Sequence, residues 1–127
     1  MAIDNDVVLR DGTVELKTSE ATPTAVDFGG EDHADTFYIV DVLEASDGTD
    51  ETLDIVIQGS NTSASSGFVD WLPFPQITAV TSTYTDILRG RCPYRWRRAK
   101  TTVGGTNTPS FHACTVTVHP AGRDDEK

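Results

Sequence analysis

Any chemistry in this chain has to come from a small set of side chains. The most concentrated is RGRCPYRWRRAK (89–100), where Arg89, Arg91, Arg95, Arg97, Arg98 and Lys100 supply six of the ten Lys and Arg in 127 residues. The planar fork of Arg binds carboxylates bidentately. Trp96 lies among these arginines, and an indole face can cover a guanidinium. Read as a strand, Tyr94, Trp96, Arg98, Lys100 and Thr102 share one face, and Arg95, Arg97, Ala99, Thr101 and Val103 share the other. Neither face is cleanly apolar, so parts of this strand must reach solvent or a partner. Three readings stay open: arginines neutralised by aspartates of neighbouring strands, an anchor onto an acidic surface of another protein, or a nucleic-acid contact.

Other candidates are weaker. His112 and His119 are seven apart, which sends them to opposite faces of a strand, and with His33 they form no catalytic or zinc pattern. Cys92 and Cys114 lack metal spacing; they read as buried thiols, a disulfide or, least favoured, a nucleophile. DGTDETLD (47–54) is rich in carboxylates but does not match a calcium loop, and reads as an exposed acidic hairpin. Trp71, Trp96, Tyr84 and Tyr94 could stack on sugars, although Trp71 sits in the apolar FVDWLPFP and reads as core. The glycines of GGED and VGGTNTP are not followed by a helix that would cradle phosphate, so they read as turn residues. No nucleophile, base and orienting group assemble, so the chain reads as non-enzymatic, with no cofactor and no metal.

Charge narrows the partners. Residues 1–88 hold 17 Asp and Glu against Arg10 and Lys17, and the whole chain carries −10. Such a body repels phosphate and anionic lipid, so neither nucleic acid nor a membrane is an expected partner. With 14 Asp, 6 Glu and Lys only at 17, 100 and 127, the composition also suits a halophilic source. No apolar run is long enough to span a bilayer. MAIDNDVVLRDG lacks the basic start and apolar stretch of a signal peptide, so the chain is expected to be made and used in the cytoplasm, or in something assembled there.

The elements that position these residues read as strands. TFYIVDVLEA (36–45), ETLDIVIQGS (51–60) and FHACTVTV (111–118) show period-two alternation or β-branched and aromatic runs. In the second, Leu53, Ile55 and Ile57 share one face; in the third, Phe111 and Thr115 oppose Cys114, Val116 and Val118. The Asp-Gly of SDGTDE (46–51) predicts a hairpin turn. Shorter strands are expected at 7–11, 13–17, 24–28, 70–74, 84–88 and 94–103, separated by turn-rich GSNTSASSG (59–67), FPQITAVTS (74–82) and GGTNTPS (104–110). The expectation is an all-β, single-domain sandwich, jelly-roll-like, of about eight short antiparallel strands. Residues 1–12 are expected as a flexible N-terminal arm, 13–119 as the sandwich and 120–127 as a solvated tail.

The order of motifs resembles a known group. AVDFGG (25–30), TLDIVIQGSNTSASSGFVDW (52–71), FPQIT (74–78), the arginine–aromatic strand Arg95, Trp96, Arg97, Arg98, and TVGGTNTPSFHACTVTV (102–118) are similar to small β-sandwich proteins encoded among the virion structural genes of tailed phages and tailed archaeal viruses. This chain departs at Trp96, where Tyr is usual, and at Arg97, where an aliphatic residue is usual. Arg97 thus directs a charge toward the core side of its strand. The resemblance implies a capsid decoration (cement) protein on the virion surface, bound to the major capsid protein and self-associating as a trimer or other homo-oligomer. Alternatives are a neck, tail or turret component of the virion, and a carbohydrate-binding module for host attachment. The candidate protein-contact residues are Arg89, Arg91, Arg95, Trp96, Arg97, Arg98 and Lys100, together with the arm 1–12.

Overall fold

In the computed structural model the described residues are 7–12, 23–29, 35–42, 44–45, 52–78, 84–105, 111–112 and 114–120. They form β1 (Val7–Arg10), β2 (Val26–Asp27), β3 (Asp35–Val42), β4 (Glu44–Ala45), β5 (Thr52–Ser60), β6 (Val69–Pro73), β7 (Ile77–Thr78), β8 (Tyr84–Arg91), β9 (Trp96–Gly104), β10 (Phe111–His112) and β11 (Thr115–Pro120). A four-stranded sheet has the order β1-β11-β3-β8. A five-stranded sheet has the order β2-β9-β5-β6, with β7 also paired to β5, and β4 pairs with β10. All pairings are antiparallel.

Alternation builds the core. Leu53, Ile55 and Ile57 of β5 are buried, as their period predicts, and meet Tyr38, Val40 and Val42 of β3 and Val116 and Val118 of β11. Each such aliphatic side chain removed from water contributes about 1.5–3 kcal/mol, so one face of each sheet must turn inward. The expected all-β sandwich is therefore the observed fold.

The differences lie at strand ends. The strand expected over 36–45 divides into β3 and β4, and that over 111–118 into β10 and β11. Phe111 and Cys114 are both buried, although a continuous strand would have opposed them; the break lets both turn inward. FPQIT, read as turn-rich, contributes β7, whose Ile77 enters the core. β8 extends past Leu88 to Arg91. Val7–Arg10 forms the strand expected over 7–11, within the span also expected as an arm, and pairs with β11, with Leu9 and Arg10 both buried across a bulge. The arginine Nη1 donates to the carbonyls of Asp11 and Cys114. The expected strand 13–17, most of the acidic hairpin 47–54, His33 and the tail beyond Pro120 lie outside the described residues.

Candidate functional site

The basic run of the sequence is not one patch in space. β8 belongs to the four-stranded sheet and β9 to the five-stranded sheet, so residues 92–95 carry the chain from one layer to the other. Arg89 and Arg91 lie exposed on the outer face of the first, and Arg89 sits over the Phe37 ring at 5.6 Å. Arg95, Trp96, Arg98 and Lys100 lie on the outer side of the second, exposed or half-buried.

On that second face the charged groups are fastened to one another. Arg95 Nε and Nη2 donate to Asp27 Oδ1 and Oδ2 at 2.8 and 2.9 Å, and the Arg95 guanidinium lies 4.4 Å from the Trp96 ring centre. The arginine bonds, then the Gly29 N–H, pull the Asp27 carboxyl down from 3.8 to about 2. Arg98 Nε donates to Gln58 Oε1 at 2.8 Å while stacking 4.0 Å from the Phe68 ring. Gln58 Nε2 in turn donates to Asp70 Oδ1 at 2.8 Å, so one chain of bonds crosses β9, β5 and β6. Gln76 Nε2 adds bonds to both oxygens of Asp54.

Arg97 corrects the candidate contact set. It is 1% exposed and points into the sandwich, as strand alternation requires. Its Nη1 donates to Tyr38 Oη at 2.9 Å, its Nε to the Tyr94 carbonyl and its Nη2 to the Cys92 carbonyl. Its guanidinium lies 4.2 Å from the Phe28 ring centre. Planar, weakly hydrated guanidinium suits such a site better than an ammonium would. Burial raises both the Tyr38 hydroxyl and the Cys92 thiol above their ordinary values, keeping both neutral at pH 7. Cys92 and Cys114 are free buried thiols.

The aromatic candidates have partners of their own. Trp71 meets Tyr38 edge-on at 5.4 Å and lies against the Gly90 backbone of β8, where a Cβ would stand 3.1 Å from the indole. It thereby closes the side of the sandwich between β6 and β8. Tyr94 presses on Gly59 so closely that a Cβ there would sit 2.4 Å from its ring. Tyr84 Oη donates to Asp86 Oδ2. His119 is exposed on the four-stranded sheet. Among the described residues, no group of three or more His, Cys, Asp or Glu could hold a metal ion, and no helix is long and apolar enough to cross a membrane.

Reading the motifs missed one feature, the outer face of the four-stranded sheet. Registers β1–β11, β11–β3 and β3–β8 align Val8, Thr117, Ile39 and Ile87 in one row. Val8 is 51% and Ile87 53% exposed. The next row holds His119, Phe37 and Arg89. A signal for this existed in TFYIV, which is apolar on both faces of β3; such runs mark strands covered on both sides.

No family model and no curated protein matches this chain. Among solved structures it is similar to the Clostridium thermocellum N-terminal endo-1,4-beta-D-xylanase 10B, CBM22-1-GH10 modules complexed with xylohexaose, at 13% identity and a TM-score of 0.51. The match covers 94% of this chain and 29% of that chain. At this identity the likeness speaks to architecture, and it agrees with the registers above: the chain is an antiparallel β-sandwich.

Proposed function

We propose that this protein is a non-enzymatic structural component of a virion, a decoration (cement) protein that binds the outer capsid of a tailed virus and reinforces it, with the major capsid protein as principal partner. The observation that supports this most is how the motifs of the resemblance fit together. Asp27 of AVDFGG holds Arg95 of the arginine–aromatic strand, Asp54 of TLDIVIQ holds Gln76 of FPQIT, and the Phe74 N–H donates to the Ile55 carbonyl at 2.9 Å. Motifs far apart in sequence are thus the fastenings of one sheet, and they form a scaffold unit. Lattice contact then falls to the other outer face, where an apolar row runs beside Arg89 and Arg91. Cement action needs each copy to bridge subunits, so that individually weak contacts add.

Adding purified protein to shells that lack it, with occupancy read by cryo-electron microscopy, tests the proposal. Many copies in a regular array are expected. Replacing Arg89 and Arg91 by Ser lowers occupancy without unfolding the protein, whereas Arg98→Ser leaves occupancy unchanged. A few copies at one vertex would instead favour a neck, tail or turret component, and no binding would sink the virion reading.

A second reading, a carbohydrate-binding module for host attachment, draws on the similar xylanase structure, which holds xylohexaose. Saturable change of tryptophan fluorescence on adding xylo-oligosaccharides would support it, and silence across a glycan array would remove it.

A further inference from the structure

The four-stranded sheet ends at β8, which pairs with β3 on one side and with no described strand on the other. Open edges invite pairing, and proteins blunt them by shortness, bulges, proline, charged side chains or a covering segment. The other edges here are blunted in those ways. β1 is four residues long and bulged, β2 has two residues, and β6 has five, a register shift and a terminal Pro73. β8 runs eight residues in unbroken register with β3, without bulge or proline, and Asp86, Arg89 and Arg91 are the charges along it.

We propose that two copies of this chain pair edge to edge through β8, antiparallel, about a two-fold axis at Ile87. The surface around that axis is self-complementary, which an isologous contact demands. The central row ending in Ile39 and Ile87 continues into Ile87 and Ile39 of the second copy. Two residues to one side stands Arg89, and two residues to the other side stand Thr85 and Asp41, joined by a 2.6 Å bond from Thr85 Oγ1 to Asp41 Oδ1. The axis therefore sets Arg89 of each copy opposite Thr85 of the other, with Asp41 two strand spacings away, roughly 10 Å. On pairing, Arg89 swings from the Phe37 ring of β3, over which it sits, and an extended arginine reaches that carboxylate. Centring the axis on Arg89 would oppose two arginines, and centring it on Leu88 would set Ile87 against Arg89, so the charge pattern selects the register. Two bodies of −10 repel, so the pair tightens as salt screens that repulsion, while apolar and backbone contacts persist. The pairing stands whether or not the partner lattice is a capsid.

Sedimentation of the full chain at about 1 M salt is expected to give a species of twice the 13.8 kDa chain mass. Ile87→Lys places like charges at the axis and raises the dissociation constant at least about tenfold, and an unchanged circular dichroism spectrum reports that the monomer stays folded. Cross-strand Cβ atoms lie about 5 Å apart, so Ile87→Cys forms a covalent dimer on mild oxidation, whereas Arg89→Cys does not. Arg89→Asp weakens the pair, and adding Asp41→Arg restores it. A monomer at every concentration and salt tested, a dimer indifferent to Ile87→Lys, or cross-linking by Arg89→Cys in place of Ile87→Cys would overturn the proposal.

Discussion

On the five-stranded sheet, Gln58 accepts from Arg98 and donates to Asp70, and Arg95 forks onto Asp27. On the four-stranded sheet, the middle row is Val8, Thr117, Ile39 and Ile87, with Phe37 in the row beside it. Both faces point away from the same core, yet they answer water differently. On the polar face Arg95, Asp27, Arg98, Gln58 and Asp70 bond to one another, so covering them gains little and desolvates charged groups. The other face carries an apolar row set among Arg89, Thr85, Asp41 and His119, and covering that row gains about 25 cal/mol for each Å² of apolar surface. One face holds the molecule's own strands together; the other is suited to hold something else.

The largest expected effect tests the residue that lies between the faces. Arg97→Ala should cost about 3–5 kcal/mol of unfolding free energy in urea titration, because it opens a cavity and strips a donor from Tyr38 and from two carbonyls. A cost below about 1 kcal/mol would mean that the guanidinium is not needed inside, and that the contrast of two faces around an arginine-anchored core is mistaken. Next in size is Gln58→Ala, which cuts the bond chain across β9, β5 and β6 and should cost about 1–2 kcal/mol while leaving association unchanged. Ile87→Ser is its counterpart on the other face: stability within about 0.5 kcal/mol of the parent, but weaker self-association. Equal destabilisation by the two substitutions would erase the distinction.

The smallest effect is a pH dependence. The Asp27 carboxyl is held down from 3.8 to about 2, mainly by Arg95. Its charged form therefore favours the folded state at neutral pH, and this contribution fades as pH falls from 3.8 toward 2. Acid titration followed by Trp96 fluorescence should show a change in that window that is absent from Asp27→Asn.

Much of the fold was legible because burial of alternate side chains leaves a period of two in the sequence. Leu53, Ile55 and Ile57 occupy the core for the same reason that they alternate. The inward turn of Arg97 was not legible from parity, since neither face of its strand is cleanly apolar; only the resemblance, with an aliphatic residue at that position, pointed inward. The breaks after Val42 and before Thr115 were not legible either, because a strand that leaves its sheet keeps its composition.

The candidate site was less legible. Sequence proximity joined Arg89 and Arg91 to Arg95 and Arg98, and the crossing from β8 to β9 separated them into different layers. What the sequence by itself determined was an antiparallel sandwich, the inward face of β5 and an acidic charge, since these follow from local periodicity and composition. Only the tertiary structure decided which arginines are neighbours and that Val8, Ile39 and Ile87 share a row. Such rows arise from strand register, which here joins Val8 to Thr117, Thr117 to Ile39 and Ile39 to Ile87, pairs far apart in the chain whose contacts no local pattern records.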